Sequence, residues 1–504
     1  MSHAAASARP SDVREDALSD TGVVDQGEKV LSGVREEDVD TGVATPRPTW
    51  ERALPWVLAL VFACLYATIS LARFERLAVR SFDLGIFEQA IRHYAHFQAP
   101  IVDLEGAGHN FLGDHWNPAI VVFAPFYRLF PSPVTLLVGQ ALVIALGVVP
   151  ITRAGMRHLG RWSGVAVGLA FGMSYGIQSA VDFDFHEVCL AVPLLAFALE
   201  AFLAGRWRRV VFWAAPLVLV KEDLGLTVAL LGVVLVLVGA RRWGFGLAAF
   251  GLASLALTIK VLIPRFNMEG RVGSSKLAAL PGTDSLLHRI LTLPVDLATS
   301  VPGATTVMLL LVVTAFLATQ SPLLILVLPT LAWRFLSTNQ NFWGQSYHYD
   351  LVLMPIVFAA LIDGVVRARR DSWRPLREYA RAAPTLALLI GLFLCSRYAF
   401  KDLVVPATYQ PSPRAQAAER VLSKIPDGAT VETDLGLIGK LTNRTQVFFV
   451  GLASPVVPQY LLIANTAQDK AMLDPVKYAE LVHPGKKYVL LYNADGYTLV
   501  RRTP

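Results

Sequence analysis

From residue 54 to residue 400 the chain alternates between long apolar runs and short polar segments. The runs are read as spans over 54–73, 132–152, 163–181, 187–204, 209–220, 224–240, 243–263, 303–319, 321–336, 349–366 and 384–400. A helix needs ~20 residues to cross the hydrocarbon core, so this pattern predicts about eleven transmembrane helices, with 209–220 the weakest. Between the first two runs, Leu84, Ile86, Phe87, Ile91 and Tyr94 recur at roughly helical spacing in 83–95. A second apolar stretch, 118–130, is opened by Pro118 and closed by Pro131-Ser132-Pro133. At ~13 residues it is too short to span, and both stretches are expected to lie along the outer membrane surface as helices.

After Phe400 the pattern becomes that of a soluble domain. It predicts a helix over 413–424, short strands over 429–433, 445–450 and 459–464, and a hairpin of 487–492 with 497–501 about Ala494-Asp495-Gly496. Residues 1–47 are polar, acidic at Glu15-Asp16 and Glu36-Glu37-Asp38, and aperiodic, which predicts a disordered tail. The expected division is therefore a cytoplasmic tail over 1–47, a polytopic membrane domain over 48–400 and an extracytoplasmic α/β domain over 401–504. No internal repeat is visible.

Composition agrees with this class and excludes a soluble enzyme: 54% of the 504 residues are hydrophobic and 17% charged, with a mean hydropathy of +0.48. A net charge of +6 would suggest nucleic acid in a soluble chain. Here the arginines fall in alternate short loops (Arg153, Arg157, Arg161; Arg206, Arg208, Arg209; Arg241, Arg242; Arg367 to Arg381), where they report orientation instead. That bias puts the N-terminus in the cytoplasm and the C-terminal domain outside. Arg73, Arg76, Arg80 and Arg92 run against it, but in a long loop, where charges count for less. Cys64, Cys189 and Cys395 lie in or beside apolar runs and imply no disulfide framework. The first run starts too far into the chain, and without a small-residue cleavage pattern, to be a signal peptide.

With that orientation, the ionisable clusters all fall on the outer side. Asp83 opens the first surface helix, where it is either an N-cap or a general base at the interface. GDHWNP places Asp114, His115 and Asn117 before the second surface helix, as a packing corner or as ligands. In DFDFHE, Asp182 and His186 meet if the stretch is helical, and Asp182, Asp184 and His186 align if it is extended, with Glu187 beside them. His186-Glu187 lacks the second histidine of a zinc-protease motif. Lys221-Glu222-Asp223 interrupts two apolar runs, at ~2.5–3.5 kcal/mol per charge if it sits at a helix centre. Arg334 can clamp a phosphate or snorkel, with Gln345 and His348 offering hydrogen bonds near it.

SFDLGIFEQAI, NFLGDHWNPAI, FDFHEVCLAVPLLA and LVKEDLGLTVALLG resemble the blocks of the bacterial predicted membrane proteins of family DUF2079, over roughly 70–400. The wider architecture resembles the glycosyltransferase C (GT-C) superfamily. That resemblance implies a GT-C-like fold in the bacterial plasma (inner) membrane and a polyprenyl-phosphate-linked sugar as donor. It implies Asp83 in the catalytic place, Asp182 or Asp184 as a second acid, and His115 near the donor phosphate. The chain departs from several relatives in carrying DLG rather than a paired Asp-Glu.

The resulting expectation is a membrane glycosyltransferase using a polyprenyl-phosphate sugar lipid and a glycan, lipid or protein acceptor that the sequence does not specify. Asp83 is the expected base, supported by Asp182, Asp184 and His186. Lys221, Arg334 and His348 are expected to contact phosphate, and His115, Glu187, Glu222, Asp223 and Gln345 to bind substrate. No cofactor is required; a divalent metal stays open. The rivals are a transporter or lipid flippase, against which the lack of an inverted repeat counts, and a membrane scaffold.

Overall fold

The computed structural model describes residues 49–78, 81–267, 283–452, 455–464 and 474–504. The expected tail over 1–47 and part of the segment between the apolar runs 243–263 and 303–319 lie outside them. Among the described residues six helices are long and apolar enough to cross a membrane: Thr49–Glu75, Pro133–His158, Arg161–Phe183, Arg241–Phe266, His348–Ala368 and Arg374–Cys395. A pair bent by 81°, Leu287–Thr299 with Val301–Val312, brings the number up to seven. The expected eleven is not reached by length and composition. Ala191–Leu203 and Leu224–Leu237 have 13 and 14 residues, and 14 residues of helix cover roughly 21 Å of a ~30 Å core. The run over 209–220 is split: an α-helix ends at Ala214 and a 3₁₀ turn with Pro216 near its start follows. The protein is a multi-pass membrane protein.

Small residues let these helices approach closely. A Cβ on Gly155 would meet Gly164 Cα at 2.8 Å, so Pro133–His158 and Arg161–Phe183 touch backbone to backbone. Between the first two spans, Phe82–Ala95 forms a helix, and Pro118–Leu129 a shorter one that begins as 3₁₀. Val121, Val122, Phe126 and Leu129 are exposed on the latter, an apolar face suited to a membrane surface.

The C-terminal sheet is built from β1 (Thr430–Thr433), β2 (Gln446–Phe449), β3 (Tyr460–Ala464), β4 (Tyr488–Ala494) and β5 (Tyr497–Arg502). Its order is β2-β1-β3-β5-β4, with β1 parallel to β2 and β3, and β5 antiparallel to β3 and β4. The β4–β5 turn uses Asp495 and Gly496 at φ 56° and 80°, the left-handed pair that a tight two-residue hairpin demands. Pro413–Leu422 is helical as expected. Pro475–Val482 is a helix that the pattern did not announce.

This sheet is not a tethered appendage. Its core is continuous with that of the helices, through Leu84, Leu104, Ile438 and Leu441. Gly85 makes the contact close: a Cβ there would run into Ile438 Cγ2 and would lie 2.9 Å from Leu104 Cδ1. Polar bonds lock the seam. Gln89 Nε2 donates to the Val447 carbonyl at 2.9 Å, Arg92 to the carbonyls of Thr442 and Thr445, and the Thr442 hydroxyl to Glu88.

Candidate active site

The first surface helix begins abruptly because Ser81 takes a left-handed φ of 58° and does not cap it with its own side chain. Asp83 is therefore not the cap; it lies one residue inside the helix. Asp184 is buried against the backbone at the start of this helix, beside Ser81 and Leu84. The span Arg161–Phe183 ends just before Asp184, and 184–186 is extended. Gln140 pins that stretch, donating to the Asp184 carbonyl at 2.9 Å and accepting from His186 N at 2.8 Å. Asp182 stays on the helix and pairs with Arg73 at 2.9 Å, itself 3.5 Å from Asp402.

A cavity of about 230 Å³ opens between the surface helix, the 105–117 segment, the 186–187 and 221 positions and the 342–349 loop. Asp83, His115, His186, Glu187, Lys221 and His348 line it, six of the expected site residues drawn from five separate segments. The arginines of the opposite sequence class gather elsewhere: Arg153, Arg157, Arg206 and Arg209 line a second cavity of about 500 Å³. Arg157 lies near one end of the Arg161–Phe183 span and His186 just past the other.

Within the first cavity, one ligand atom from each of Asp83, His186 and His348 lies within 4.8 Å of the others. The two imidazoles stack with centroids 3.3 Å apart and planes 24° from parallel, and Phe87 packs edge-on against His186 at 5.1 Å. Glu187 joins His186 Nδ1 to Lys221, one carboxylate oxygen to each. On the other wall, His115 lies 3.3 Å from Asp114 and 3.7 Å from Glu222. Burial alone would lower its pKa, but the carboxylates of Glu222 and Asp114 outweigh that and push it up to about 9, which favours the cationic imidazole at neutral pH. Burial pushes the Asp83 carboxyl up to about 6, with Glu187 adding to the shift and Lys221 and His115 opposing it. Glu105, also on the wall, is pushed up to about 7, chiefly by burial.

Other expected contacts lie apart from the cavity. Arg334 is fully buried, with Nε on the Phe342 carbonyl, Nη1 on Asp350 at 2.6 Å and Nη2 on the Gly344 carbonyl. Its donors shape the loop that carries Phe342, His348 and Tyr349, which leaves none directed at a phosphate. Gln345 bonds to the Pro302 carbonyl and Thr306. Glu222 acts through His115, and Asp223 borders a small gap beside Lys221 and His348. Glu105 and Asp350 were missed. Asp350, an acid in the first turn of an apolar run, was a signal for a buried partner; Glu105, a lone acid in a short polar loop, offered none.

The profile of the predicted membrane proteins DUF2079 matches residues 73–498. The chain belongs to that family. No curated protein matches it in sequence. Among solved structures, this DUF2079 protein is similar to ArnT from Cupriavidus metallidurans bound to undecaprenyl phosphate, at 13% identity and a TM-score of 0.51, covering 89% of this chain and 98% of that one. The apo form of the same ArnT gives 13% identity, the same coverage and a TM-score of 0.47. The likeness to the complex shows a shared fold across nearly the whole length of both chains, and the GT-C resemblance holds at that level.

Proposed function

We propose that this DUF2079 protein is a membrane glycosyltransferase that moves a sugar from a polyprenyl-phosphate donor to an acceptor hydroxyl. The observation that carries the reading is the single cavity in which a helix-start carboxylate, Asp83, faces two cations, His115 and Lys221, beside an apolar surface helix. A lipid-linked donor needs that combination: apolar surface for its tail, cations for its phosphate and a carboxylate for the acceptor. ArnT, the neighbour in fold, binds undecaprenyl phosphate, and this supports the donor class.

In the proposed step the acceptor oxygen forms a bond to the anomeric carbon while the bond from that carbon to the phosphate oxygen breaks. The hydroxyl proton passes to Asp83. The electron pair leaves with the lipid phosphate, whose charge His115 and Lys221 meet. Single displacement inverts the anomeric centre. Asp184 positions the Asp83 helix turn, and Glu187 holds Lys221 in place. The alternating arginine loops support a plasma-membrane orientation with the N-terminus cytoplasmic and this cavity, with the C-terminal sheet above it, on the outer side.

The test is incubation of the purified protein with a panel of labelled polyprenyl-phosphate sugars, reading released lipid phosphate. Turnover is expected with at least one donor, and Asp83→Asn is expected to lower it by about 10²–10⁴-fold with the melting temperature unchanged. Absence of turnover across the panel together with solute flux in proteoliposomes would replace this reading by transport.

A further inference from the structure

The second cavity, at the other end of the Arg161–Phe183 span from Asp83, is built in a way that orientation in a membrane does not require. Orientation needs basic residues near span ends; it does not need them gathered round a hollow of about 500 Å³. Arg153 and Arg157 stand four residues apart on Pro133–His158 and so share a face. Glu200, a buried carboxylate on Ala191–Leu203, fixes them: it accepts from Arg153 Nε at 3.0 Å and Nη2 at 2.5 Å, and lies 3.7 Å from Arg157 Nη2. Past the turn at Gly205, where φ is 65°, Arg206 and Arg209 complete the polar wall. That sets four guanidinium groups against one carboxylate, an excess of three positive charges. Arg206 and Arg209 are exposed and, among the described residues, pair with no carboxylate. Arg208 belongs to the same basic loop but does not line the cavity; its guanidinium lies over the Trp243 ring at 6.0 Å. The remaining wall is largely apolar. Phe197 and Trp213 stack with centroids 4.6 Å apart, Arg153 lies over Phe197 at 5.5 Å, and Phe212 is 68% exposed.

We propose that this cavity binds the headgroup of an anionic phospholipid from the leaflet opposite Asp83, with its phosphate on Arg153, Arg206 and Arg209 and the start of an acyl chain along Phe197, Phe212 and Trp213. Guanidinium groups pair with phosphate oxygens in a fork, and basic pockets between membrane helices on the cytoplasmic side take phosphorylated headgroups. The alternating arginine loops put this cavity on that side. A soluble phosphate would use the arginines and leave the aromatic rim uncovered, whereas a lipid occupies both. The charge excess favours a headgroup with two phosphates over a headgroup with one. Ala191–Leu203, which carries Glu200 near its end, begins directly after Glu187–Leu190. The lipid therefore braces the far end of the helix whose near end adjoins the first cavity. The site does not rest on the transferase reading.

The experiment takes the full-length protein, delipidated in a neutral detergent, and titrates it with cardiolipin, phosphatidylglycerol or phosphatidylcholine, reading lipid bound per chain by native mass spectrometry. Cardiolipin is expected to be retained most tightly, phosphatidylglycerol less, and phosphatidylcholine about tenfold or more weakly than cardiolipin. Arg206→Gln with Arg209→Gln is expected to weaken cardiolipin about tenfold or more. Arg208→Gln, a charge lost from the same loop, leaves it unchanged. If the double variant does not fold, the ranking of the three lipids on the unaltered protein decides by itself. Equal retention of cardiolipin and phosphatidylcholine overturns the site, as does a loss on Arg208→Gln as large as that of the double variant. Inorganic phosphate that displaces cardiolipin at equimolar concentration and constant ionic strength makes the cavity a soluble-phosphate site and overturns the lipid assignment.

Discussion

Two polar clusters occupy the same end of this molecule and have opposite fates. Arg334 and Asp350 form a sealed pair with both side chains at 0% exposure, and every guanidinium nitrogen has a partner. Asp83, His186 and His348 face a cavity, held in place by groups behind them. The first cluster spends its charge on making a loop. The second lines a cavity that a ligand can reach. Residue type does not separate the two, since an arginine beside tyrosines looks at least as much like a phosphate clamp as a histidine does. Accessibility separates them: the first pair is fully buried, and the second lines a cavity.

The comparison is most severely tested at Arg334. Removing one partner of a buried pair leaves an uncompensated charge, so Arg334→Ala is expected to cost about 3–5 kcal/mol and to lower the melting temperature in detergent. Arg334→Met with Asp350→Leu is expected to cost less than the single change. If Arg334→Ala instead keeps its melting temperature and loses only donor binding, the pair belongs with the open cluster and the contrast fails.

A smaller effect sharpens the contrast on the surface helix itself, where Asp83 is open and Glu88 sealed. Glu88 receives hydrogen bonds from Tyr127 and Thr442 and faces Arg92, yet burial still pushes it from 4.5 up to about 7. Its folded pKa is raised, so its contribution is fully present below about pH 4.5 and is lost as the pH rises through about 7. The loss should be on the order of 3 kcal/mol. Limited proteolysis of the C-terminal domain should be faster at pH 8.5 than at pH 5, and Glu88→Gln should flatten that difference.

The smallest of the three lies at Gly85, between those two carboxylates. Gly85→Ala is expected to destabilise by about 1–3 kcal/mol through overpacking against Ile438 and Leu104, seen as a lower melting temperature. Adding Ile438→Ala should recover part of the loss. No change on Gly85→Ala would mean that the seam between surface helix and sheet is looser than its geometry.

Much of the fold was legible because it depends on local pattern. The outer spans of the bundle, the two first-loop helices, the Asp495-Gly496 hairpin and five strands follow from apolar runs, period-two alternation and turn residues. Span number was less legible: a run such as 209–220 records apolarity, while the position of Pro216 and the neighbouring packing decide whether the helix continues. The side of the membrane shared by the candidate residues could also be argued from the chain, since counting spans and arginine loops needs no knowledge of contacts.

By itself, then, the sequence determined the class of the protein, the order of most of its elements and, within a larger candidate set, the six residues that line one cavity. Tertiary structure decided their division of labour. Asp83 lies inside its helix, on the wall of a cavity whose other candidate residues come from four distant segments. His348 reaches the cavity wall stacked on His186, and Arg334 was taken out of play by Asp350 and two carbonyls. The physical reason is common to all three. A hydrogen-bonding group or charge does what its surroundings allow, and segments brought from distant parts of the chain set those surroundings.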